Sequence, residues 1–364
     1  MQNSINNILE KEFFTHSDIV KLLSTNENEC EILFRKATEI KSKYVDNKVY
    51  FRGLIEFSNK CIKNCYYCGI RAGNKTLKRY VLSDDEVLEC AKYAFNNGFA
   101  SIVIQSGEQQ NKDFEQKISY LLENIMKISN GKLSVTLSLG EQFENTYKIW
   151  KEKGATRYLL RIETSNRELY SKLHPANKLH NYDNRLNCLK LLRKLDYQVG
   201  TGVMIGLPFQ TIDHLADDLE FFRDMDIDMV GMGPYIEHKD TPLNQYRDQI
   251  LSKKERFLLS LKMIAILRIM MKDINIAATT AMQTLDKQGR EKALKAGANV
   301  VMPNITPIQY RTDYLLYENK PCLNKENNEC QKCLEAGILI ANDTIAYNEP
   351  GDSLHFQKRK NKIN

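Results

Sequence analysis

Short apolar segments alternate with amphipathic helical segments along most of the chain. The helical patterns cover 84–97, 113–128, 142–153, 183–195, 212–224, 253–272 and 287–296. The strand candidates around them are 49–57, 101–105, 133–139, 156–162, 198–205, 228–232, 275–279 and 299–302. Eight strands separated by seven helices predict an α/β fold with a parallel sheet, and this number of strands favours a closed (β/α)8 barrel of the TIM type.

The barrel pattern does not fill the chain. Residues 1–48 have helical periodicity, and residues 305–364 form an extension that becomes charged and Asn-rich towards its end. We therefore expect an N-terminal helical segment, a barrel over 49–304 and a C-terminal extension. Helix starts carry capping signals, such as Ser83 with Glu86 three residues later. Because barrel enzymes hold their chemistry at the C-terminal ends of the strands, residues that follow each strand are the candidate site residues.

Composition and charge narrow the class of protein. The chain has 364 residues, 42% of them hydrophobic, which is enough for a large packed domain. The net charge of +6, with basic residues scattered along the chain, is weak evidence for nucleic-acid binding. Residues 1–30 lack the apolar core of a signal peptide, and no apolar stretch is long enough to predict a transmembrane helix. We expect a cytoplasmic protein with reduced thiols that binds neither nucleic acid nor a membrane.

Three cysteines follow the first predicted strand with the spacing Cys61-x3-Cys65-x2-Cys68. They interrupt a polar loop, at the end of the barrel where chemistry is expected. Structural zinc normally has four protein ligands, and no fourth Cys or His is nearby. Three thiolates instead suit a 4Fe–4S cluster with one iron left open to chelate a small molecule. With Tyr67 before the last cysteine, the motif resembles the signature of the radical S-adenosylmethionine (SAM) enzymes.

This resemblance implies a SAM-binding site built from later strand ends. Gln105-Ser106-Gly107-Glu108 stands where the family has a Gly-Gly-Glu-like motif for the methionine amino group, a partial match. Glu163 would accept hydrogen bonds from the ribose, and Arg185 would pair with the methionine carboxylate. Arg161 shares a face with Glu163, but we expect each to find other partners. The implied cofactor-binding residues are Tyr67, Gln105, Ser106, Glu108, Arg161, Glu163, Arg185 and Met204.

Longer segments resemble one branch of this family, the HydE maturases of FeFe-hydrogenase. These segments are 51–59, 136–140, 157–161, 184–188, 228–234, 278–282 and 301–304. The resemblance implies assembly of the diiron subsite of the H-cluster, in which the 5′-deoxyadenosyl radical attacks the cysteine sulfur of an Fe(CO)2(CN)–cysteine complex. It implies the maturases HydG and HydF as partners, and ferredoxin or flavodoxin as electron donor. The predicted catalytic residues are Cys61, Cys65, Cys68, Thr136, Met229, Thr279 and Thr280; simple packing is the alternative for the last four.

A second cysteine group, Cys322-x7-Cys330-x2-Cys333, lies past the last predicted strand. It resembles the auxiliary site of many HydE proteins and implies a possible second cluster, 2Fe–2S or 4Fe–4S. Because a fourth ligand is again missing, a labile or vestigial site is the alternative. Ile162 stands where some family members carry His, which removes a polar group near the site.

Three tyrosines that follow the last predicted strand have two equal interpretations. Tyr310, Tyr314 and Tyr317 either cap the barrel mouth as a lid or pack the C-terminal extension.

Of three other functions, two remain open. A methylornithine synthase-like radical mutase has a similar barrel, but the second cysteine group favours the maturase. Biotin synthase needs cluster ligands on strand ends, whereas Cys90 and Cys188 lie in helical patterns, so we reject it. A non-catalytic iron–sulfur carrier would not cleave SAM, and this is the observation that separates it from an enzyme.

Overall fold

The computed structural model describes residues 2–363. Its strands are short and mostly buried, as expected for a parallel sheet covered by helices. They are β1 Lys48–Phe51, β2 Gly53–Ser58, β3 Ser101–Ser106, β4 Ser134–Ser138, β5 Ala155–Leu159, β6 Gln198–Thr201, β7 Met204–Ile205, β8 Met229–Val230, β9 Gly233–Pro234, β10 Asn275–Ile276, β11 Val300–Val301 and β12 Thr344–Ile345.

Helices surround these strands and precede and follow them. They are α1 Gln2–Leu9, α2 His16–Leu23, α3 Glu27–Val45, α4 Asp84–Asn96, α5 Lys112–Ile128, α6 Glu144–Glu152, α7 Arg167–Leu173, α8 Tyr182–Lys194, α9 Ile212–Asp224, α10 Lys253–Met270, α11 Thr280–Leu285, α12 Gly289–Lys295, α13 Ile308–Arg311, α14 Asn327–Ile340 and α15 Leu354–Ile363. Two 3₁₀ helices cover Lys178–His180 and Pro242–Gln249. No helix among the described residues is long and apolar enough to cross a membrane.

Seven parallel strands form one curved sheet in the order β10-β8-β6-β5-β4-β3-β2. Strand β11 lies between the two edges of this sheet. It meets β10 through a parallel bridge between Ala277 and Val300, and a further bridge joins Leu54 of β2 to Asn304. The predicted α/β barrel of parallel strands is therefore confirmed, with a continuous ladder over seven strands and isolated bridges at the closing seam.

The predicted strand 49–57 is two strands. The strand is interrupted at Arg52. Strand β1 pairs with β11 and β12 in a separate small sheet, whereas β2 belongs to the barrel sheet. The Arg52 guanidinium is buried and donates to the Gly351 carbonyl at 3.1 Å, so a charged group interrupts the apolar pattern. The helical prediction for 1–48 agrees with α1–α3, except that β1 begins at Lys48 and Met1 lies outside the described residues.

Local capping accounts for several helix boundaries. At the start of α4, the Ser83 hydroxyl accepts from the backbone of Glu86, and the Glu86 carboxylate accepts from the backbone of Ser83, as predicted. The short helix α7 is not predicted, because its seven residues span too few turns for periodicity to identify. The Asn166 side chain caps its start by accepting from the Leu169 amide at 2.9 Å.

The C-terminal extension covers the N-terminal ends of the barrel strands. The Gly351 carbonyl also accepts from Asn275 at 2.9 Å, and the Asp352 carboxylate accepts from Gln198 and Arg157. These contacts place the segment 350–353 across the floor of the barrel. The opposite end, formed by the C-terminal ends of the strands, contains the large cavity.

Candidate active site

A cavity of about 320 Å³ lies at the C-terminal ends of the barrel strands. Thirteen of the predicted site residues line it. They are Cys61, Tyr67, Cys65, Cys68, Gln105, Ser106, Glu108, Arg161, Glu163, Arg185, Met204, Thr279 and Thr280. The fold thus brings residues from six separate stretches of sequence to the walls of a single cavity.

The three-cysteine loop is held in place by the loop that follows it. The Arg79 guanidinium donates to the carbonyls of Asn59, Ile70, Arg71 and Asn74, at distances between 2.5 and 3.0 Å. These bonds tie the chain before the cysteines, at Asn59, and the chain after them, at 70–74, to the same guanidinium. The cysteine positions are therefore set by backbone contacts, before any metal is considered.

Gly107 lets strand β3 approach this loop closely. A Cβ atom at Gly107 would lie 2.3 Å from the Lys60 carbonyl oxygen and 2.8 Å from the Cys61 Cβ. The next residue, Glu108, donates its backbone N–H to the Cys61 sulfur at 3.3 Å. Only glycine leaves room for this contact. This explains why the chain keeps Gly107, which with Glu108 is the part of the Gly-Gly-Glu-like motif that it shares.

Burial controls the ionisation of the three thiols. It raises the pKa of Cys61, raises the pKa of Cys65 to about 12 and raises the pKa of Cys68 well above its usual value. Thiols in this apolar setting are protonated, and metal binding must displace the protons. Three sulfur donors that face one cavity, with no fourth protein ligand from the described residues in the loop, fit a cluster that keeps one iron open.

A buried group of four charges lies beside the cysteine loop. The Lys63 ammonium is 3.1 Å from Glu108 and 3.1 Å from Glu141, and Arg185 Nε is 2.7 Å from Glu141 Oε1. The Arg185 Nε–H is not aimed at that oxygen and has no hydrogen-bond partner among residues 2–363. Glu108 Oε1 also has no aligned hydrogen bond there, although the Lys63 ammonium lies close to it. Burial raises the pKa of Glu108, although Arg185 and Lys63 oppose the rise.

These orphaned polar atoms fit a zwitterionic ligand such as the methionine end of SAM. A carboxylate oxygen without an aligned hydrogen bond suits an ammonium group, and a guanidinium N–H without an acceptor suits a carboxylate. The sequence prediction names Glu108 and Arg185 but not Lys63 or Glu141. Glu141 directly follows Gly140, one residue beyond a segment that the family resemblance covers, and this is the signal that could have identified it.

Arg161 and Glu163 form an ion pair, so the expectation that each finds other partners is wrong. Arg161 Nε lies 3.0 and 3.1 Å from the two carboxylate oxygens of Glu163, and Arg161 Nη2 lies 2.9 Å from one of them. Along a regular strand the two side chains would stand parallel. Glu163 instead lies beyond the end of β5 with φ of 66°, which turns its carboxylate back towards Arg161.

Thr136 and Met229 lie apart from the other predicted catalytic residues. They line a smaller cavity of about 30 Å³ deeper in the barrel, together with Arg52. The Met229 sulfur accepts from Arg52 Nη1 at 2.9 Å, while the Thr136 hydroxyl has no partner among the described residues. The expectation that Thr136 and Met229 lie with the other predicted catalytic residues is therefore corrected. Their strands place them inside the barrel rather than at its mouth.

The side chain at position 162 does not reach the cavity. Ile162 is fully buried in the main hydrophobic core, while its neighbours Arg161 and Glu163 face the cavity. The expectation that isoleucine here removes a polar group near the site is wrong, since the alternation of side chains points this position outward.

The three tyrosines of the extension separate into two roles. Tyr314 and Tyr317 line the cavity, and Tyr314 is almost fully buried. Tyr310 instead stacks on Tyr80 at 4.8 Å and donates to Glu86 at 2.9 Å, outside the cavity.

The second cysteine group lies on the C-terminal extension. Cys330 and Cys333 are one turn apart on α14, with Cys330 buried and Cys333 exposed. Cys322 precedes the helix with φ of 64°, and the hydrogen bond from the Cys330 thiol lowers the pKa of Cys322 to about 6. Arg311 holds this loop by donating to the carbonyls of Cys322 and Lys325. None of the three cysteines lines the large cavity.

Comparison with known proteins agrees with this site. Residues 55–222 match the sequence model of the radical SAM superfamily. The chain is 47% identical to the FeFe hydrogenase maturase subunit HydE of Thermotoga maritima over 327 residues, which covers 90% of each protein.

Two solved structures share the fold. The crystal structure of methylornithine synthase has a TM-score of 0.79 at 25% identity, covering 94% of this chain and 97% of that one. The maturase HydG from Carboxydothermus hydrogenoformans has a TM-score of 0.76 at 20% identity, covering 97% of this chain and 82% of that one. On its match to the radical SAM model and its 47% identity to the Thermotoga protein, the chain is a radical SAM enzyme that belongs to the HydE family of FeFe-hydrogenase maturases.

Proposed function

We propose that this chain binds a 4Fe–4S cluster through Cys61, Cys65 and Cys68 and binds SAM in the cavity beside it. The observation that carries the proposal is the convergence on one space of three cysteine thiols with two buried polar atoms that lack hydrogen bonds, Glu108 Oε1 and Arg185 Nε. Bound together, the cluster and SAM supply a 5′-deoxyadenosyl radical, which is the chemistry common to the superfamily. The protein's part is to hold the cluster and SAM, to orient them towards the substrate and to exclude water.

The charged residues divide the binding of SAM between them. Glu108 accepts from the methionine ammonium, and Arg185 donates to the methionine carboxylate. Binding replaces the imperfect contact between Arg185 and Glu141 with a properly aimed one. Glu163, held by Arg161, accepts from the ribose hydroxyls, and Met204 lies on the wall where the adenine would pack.

The substrate we propose is an Fe(CO)2(CN)–cysteine complex, from which the diiron subsite of the hydrogenase is assembled. Thr279 and Thr280 line the cavity and offer hydroxyl groups to its polar ligands. Tyr314 and Tyr317 form part of the wall and limit the entry of water. Attack at the cysteine sulfur requires that this sulfur be held next to the adenosyl group, and a cavity closed at its floor restricts where a small substrate can lie.

The second cysteine group is proposed to hold an auxiliary 2Fe–2S or 4Fe–4S cluster. Cys322 and Cys330 are already in contact, and the exposed Cys333 lies one turn after Cys330 on α14. The maturases HydG and HydF are the proposed partners for delivery and receipt of the iron species.

One experiment tests the main proposal. Anaerobically reconstituted protein is mixed with dithionite and SAM, with the iron–cysteine complex in one arm and lysine in the other. We expect 5′-deoxyadenosine or its sulfur adduct to form, with a covalent adduct in the first arm alone. Conversion of lysine would establish a methylornithine synthase-like mutase instead. Absence of SAM cleavage in both arms, from protein with full iron content, would establish a carrier.

A further inference from the structure

The composition suggests that the net positive charge is spread along the chain, but the excess of basic over acidic residues falls in one segment. Residues 59–82, which contain the three-cysteine loop, carry six Lys and Arg residues and no Asp or Glu. The charge of this segment equals the whole net charge of +6, leaving 46 basic and 46 acidic residues elsewhere. In the sequence, the excess positive charge therefore falls in the segment that contains the cysteine loop; in the fold, Asp240 of another segment also contacts this segment, at Thr76.

Four of these six charged groups face outward. Lys60, Lys75 and Lys78 are exposed and Arg71 is half-buried. None of the four forms an ion pair with another residue in the range 2–363, and Arg71 Nε has no hydrogen-bond partner there. The other two are occupied inside the fold. Lys63 is paired with Glu108 and Glu141, and Arg79 binds carbonyl groups of the loop.

An apolar patch accompanies these charges. Ile62 is 38% exposed and Leu179 is 44% exposed. The segment around Leu179 packs on the cysteine loop, since the Asn64 amide donates to His180 Nε2 at 2.8 Å and Lys63 donates to the Leu179 carbonyl. We call the surface formed by Lys60, Ile62, Arg71, Lys75 and Lys78 the basic loop face.

We infer that the basic loop face is the docking surface for an acidic one-electron carrier, a ferredoxin. This inference rests on the proposed function, since it assumes a cluster on the cysteines of the loop. One electron passes from the reduced ferredoxin to the oxidised cluster, so that the carrier is oxidised by one electron and the cluster is reduced by one. No proton or leaving group moves.

Charge complementarity favours a protein carrier over other occupants. Unpaired lysines around a small apolar centre steer an acidic partner and then bury a short contact beside the cysteines. Nucleic acid would also be attracted to a basic surface. However, the exposed apolar side chains that accompany these charges, Ile62 and Leu179, are aliphatic rather than aromatic groups on which bases stack.

The test reverses two charges that lie outside the cavity. In the holoenzyme, the double variant Lys75→Glu/Lys78→Glu is compared with Lys127→Glu/Lys132→Glu, which makes the same charge change near the floor of the barrel. Lys127 and Lys132 are exposed near the end of α5. Stopped-flow absorbance follows reduction of the cluster by photoreduced acidic ferredoxin and, separately, by dithionite.

We expect the loop-face variant to slow reduction by ferredoxin at least about tenfold at low salt, with a smaller difference as salt rises. Reduction by dithionite and dithionite-driven SAM cleavage should be unchanged, and the control variant should behave as the wild type. Carbodiimide cross-linking gives a readout independent of turnover, because it joins ferredoxin carboxylates to nearby lysines. Mass spectrometry should locate the cross-links at Lys60, Lys75 and Lys78.

Several outcomes would overturn the inference. These are wild-type rates with ferredoxin for the loop-face variant, equal losses in both double variants, or cross-links confined to other surfaces. Tight binding of single-stranded RNA that the loop-face substitutions abolish, without an effect on ferredoxin, would assign the face to nucleic acid. If the wild type does not cleave SAM with dithionite, the proposed function is contradicted instead. The failure of the inference and the failure of the proposed function are therefore distinguishable.

Discussion

The two cysteine groups have similar compact spacing but very different surroundings. Cys61, Cys65 and Cys68 face a cavity at the mouth of the barrel, in a loop whose backbone is bound by the Arg79 guanidinium. Cys330 and Cys333 lie on α14 of the extension, where Cys333 is exposed and neither lines the cavity at the barrel mouth. Spacing alone predicts metal binding for both groups. Only the surroundings separate a site that can hold a substrate from one that can hold only a cluster.

The chemical difference lies in what accompanies the sulfur atoms. Beside the first group are Glu108 and Arg185, buried and without proper hydrogen-bond partners. Near the second group, Arg311 is fully used by backbone carbonyls and by Asn327. The first group therefore has unsatisfied polar atoms that face a cavity and suit a zwitterionic ligand. At the second group Arg311 is occupied by the protein, and the nearby buried Arg290 Nε, which has no hydrogen-bond partner among the described residues, does not line that cavity.

The largest expected effect is from Cys65→Ser. Replacement of a thiolate by a hydroxyl removes one of three ligands, because oxygen is a poor donor to an iron–sulfur cluster. We expect loss of SAM cleavage and of the cluster's absorbance. Cys90→Ser is the matched control, since Cys90 is a buried cysteine in α4 that donates to the Ile305 carbonyl at 3.1 Å. SAM cleavage that survives in Cys65→Ser would overturn the assignment of the first group.

The second effect concerns affinity for SAM. Glu163→Gln removes the charge that accepts from the ribose and weakens the pair with Arg161, at a cost of about 1–3 kcal/mol. We expect the dissociation constant of SAM to rise by roughly ten- to a hundredfold, with unchanged iron content. Glu123→Gln breaks an exposed ion pair with Lys153 and serves as control. An unchanged affinity with a lowered melting temperature would show that Glu163 only stabilises the turn.

Much of this comparison can be predicted from the sequence, and the missing parts have physical causes. Hydrophobic periodicity identifies the barrel, and cysteine spacing identifies both metal groups. The Arg161–Glu163 pair is missed because it depends on a positive φ at Glu163, a conformation that the strand pattern does not indicate. Glu141 is missed because its role comes from contacts with Lys63 and Arg185, which are remote in sequence. Thr136 and Met229 are misplaced because periodicity gives the face of a strand but not the depth along it.

A third prediction tests whether the extension that carries the second group is held separately from the barrel mouth. His355 of α15 lies 3.1 Å from Asp273 and also contacts Asp226, with Lys358 and Arg359 beside it. Hydrogen bonds to Asp226 and Asp273 raise the pKa of His355 to about 9. Because the pKa of His355 is raised in the folded state, its contacts contribute fully to the free energy of unfolding below about pH 6.5. That contribution is lost as the pH rises through about 9.

The contact should therefore weaken by about 1–3 kcal/mol between neutral pH and pH 10, and α15 should become more sensitive to proteolysis. His355→Gln should remove this pH dependence while leaving the binding of SAM unchanged. Cleavage sites are mapped by mass spectrometry at each pH, with the protease activity calibrated on an unfolded peptide. Equal pH dependence in the wild type and in His355→Gln would show that another group anchors the extension.

The smallest effect on SAM cleavage is expected from Cys330→Ser, and it tests the comparison most directly. Cys330 is buried, and its thiol donates to Cys322, so the serine keeps a hydrogen-bonding group while the cluster loses a ligand. Iron content should fall by the share of the auxiliary cluster, while dithionite-driven cleavage of SAM stays within about twofold, since the group lies outside the cavity. Cys188→Ser, a buried cysteine of α8, controls for general loss of stability. Complete loss of cleavage in folded Cys330→Ser protein would mean that the two groups act as one site, and unchanged iron content would mean that the second group holds no cluster.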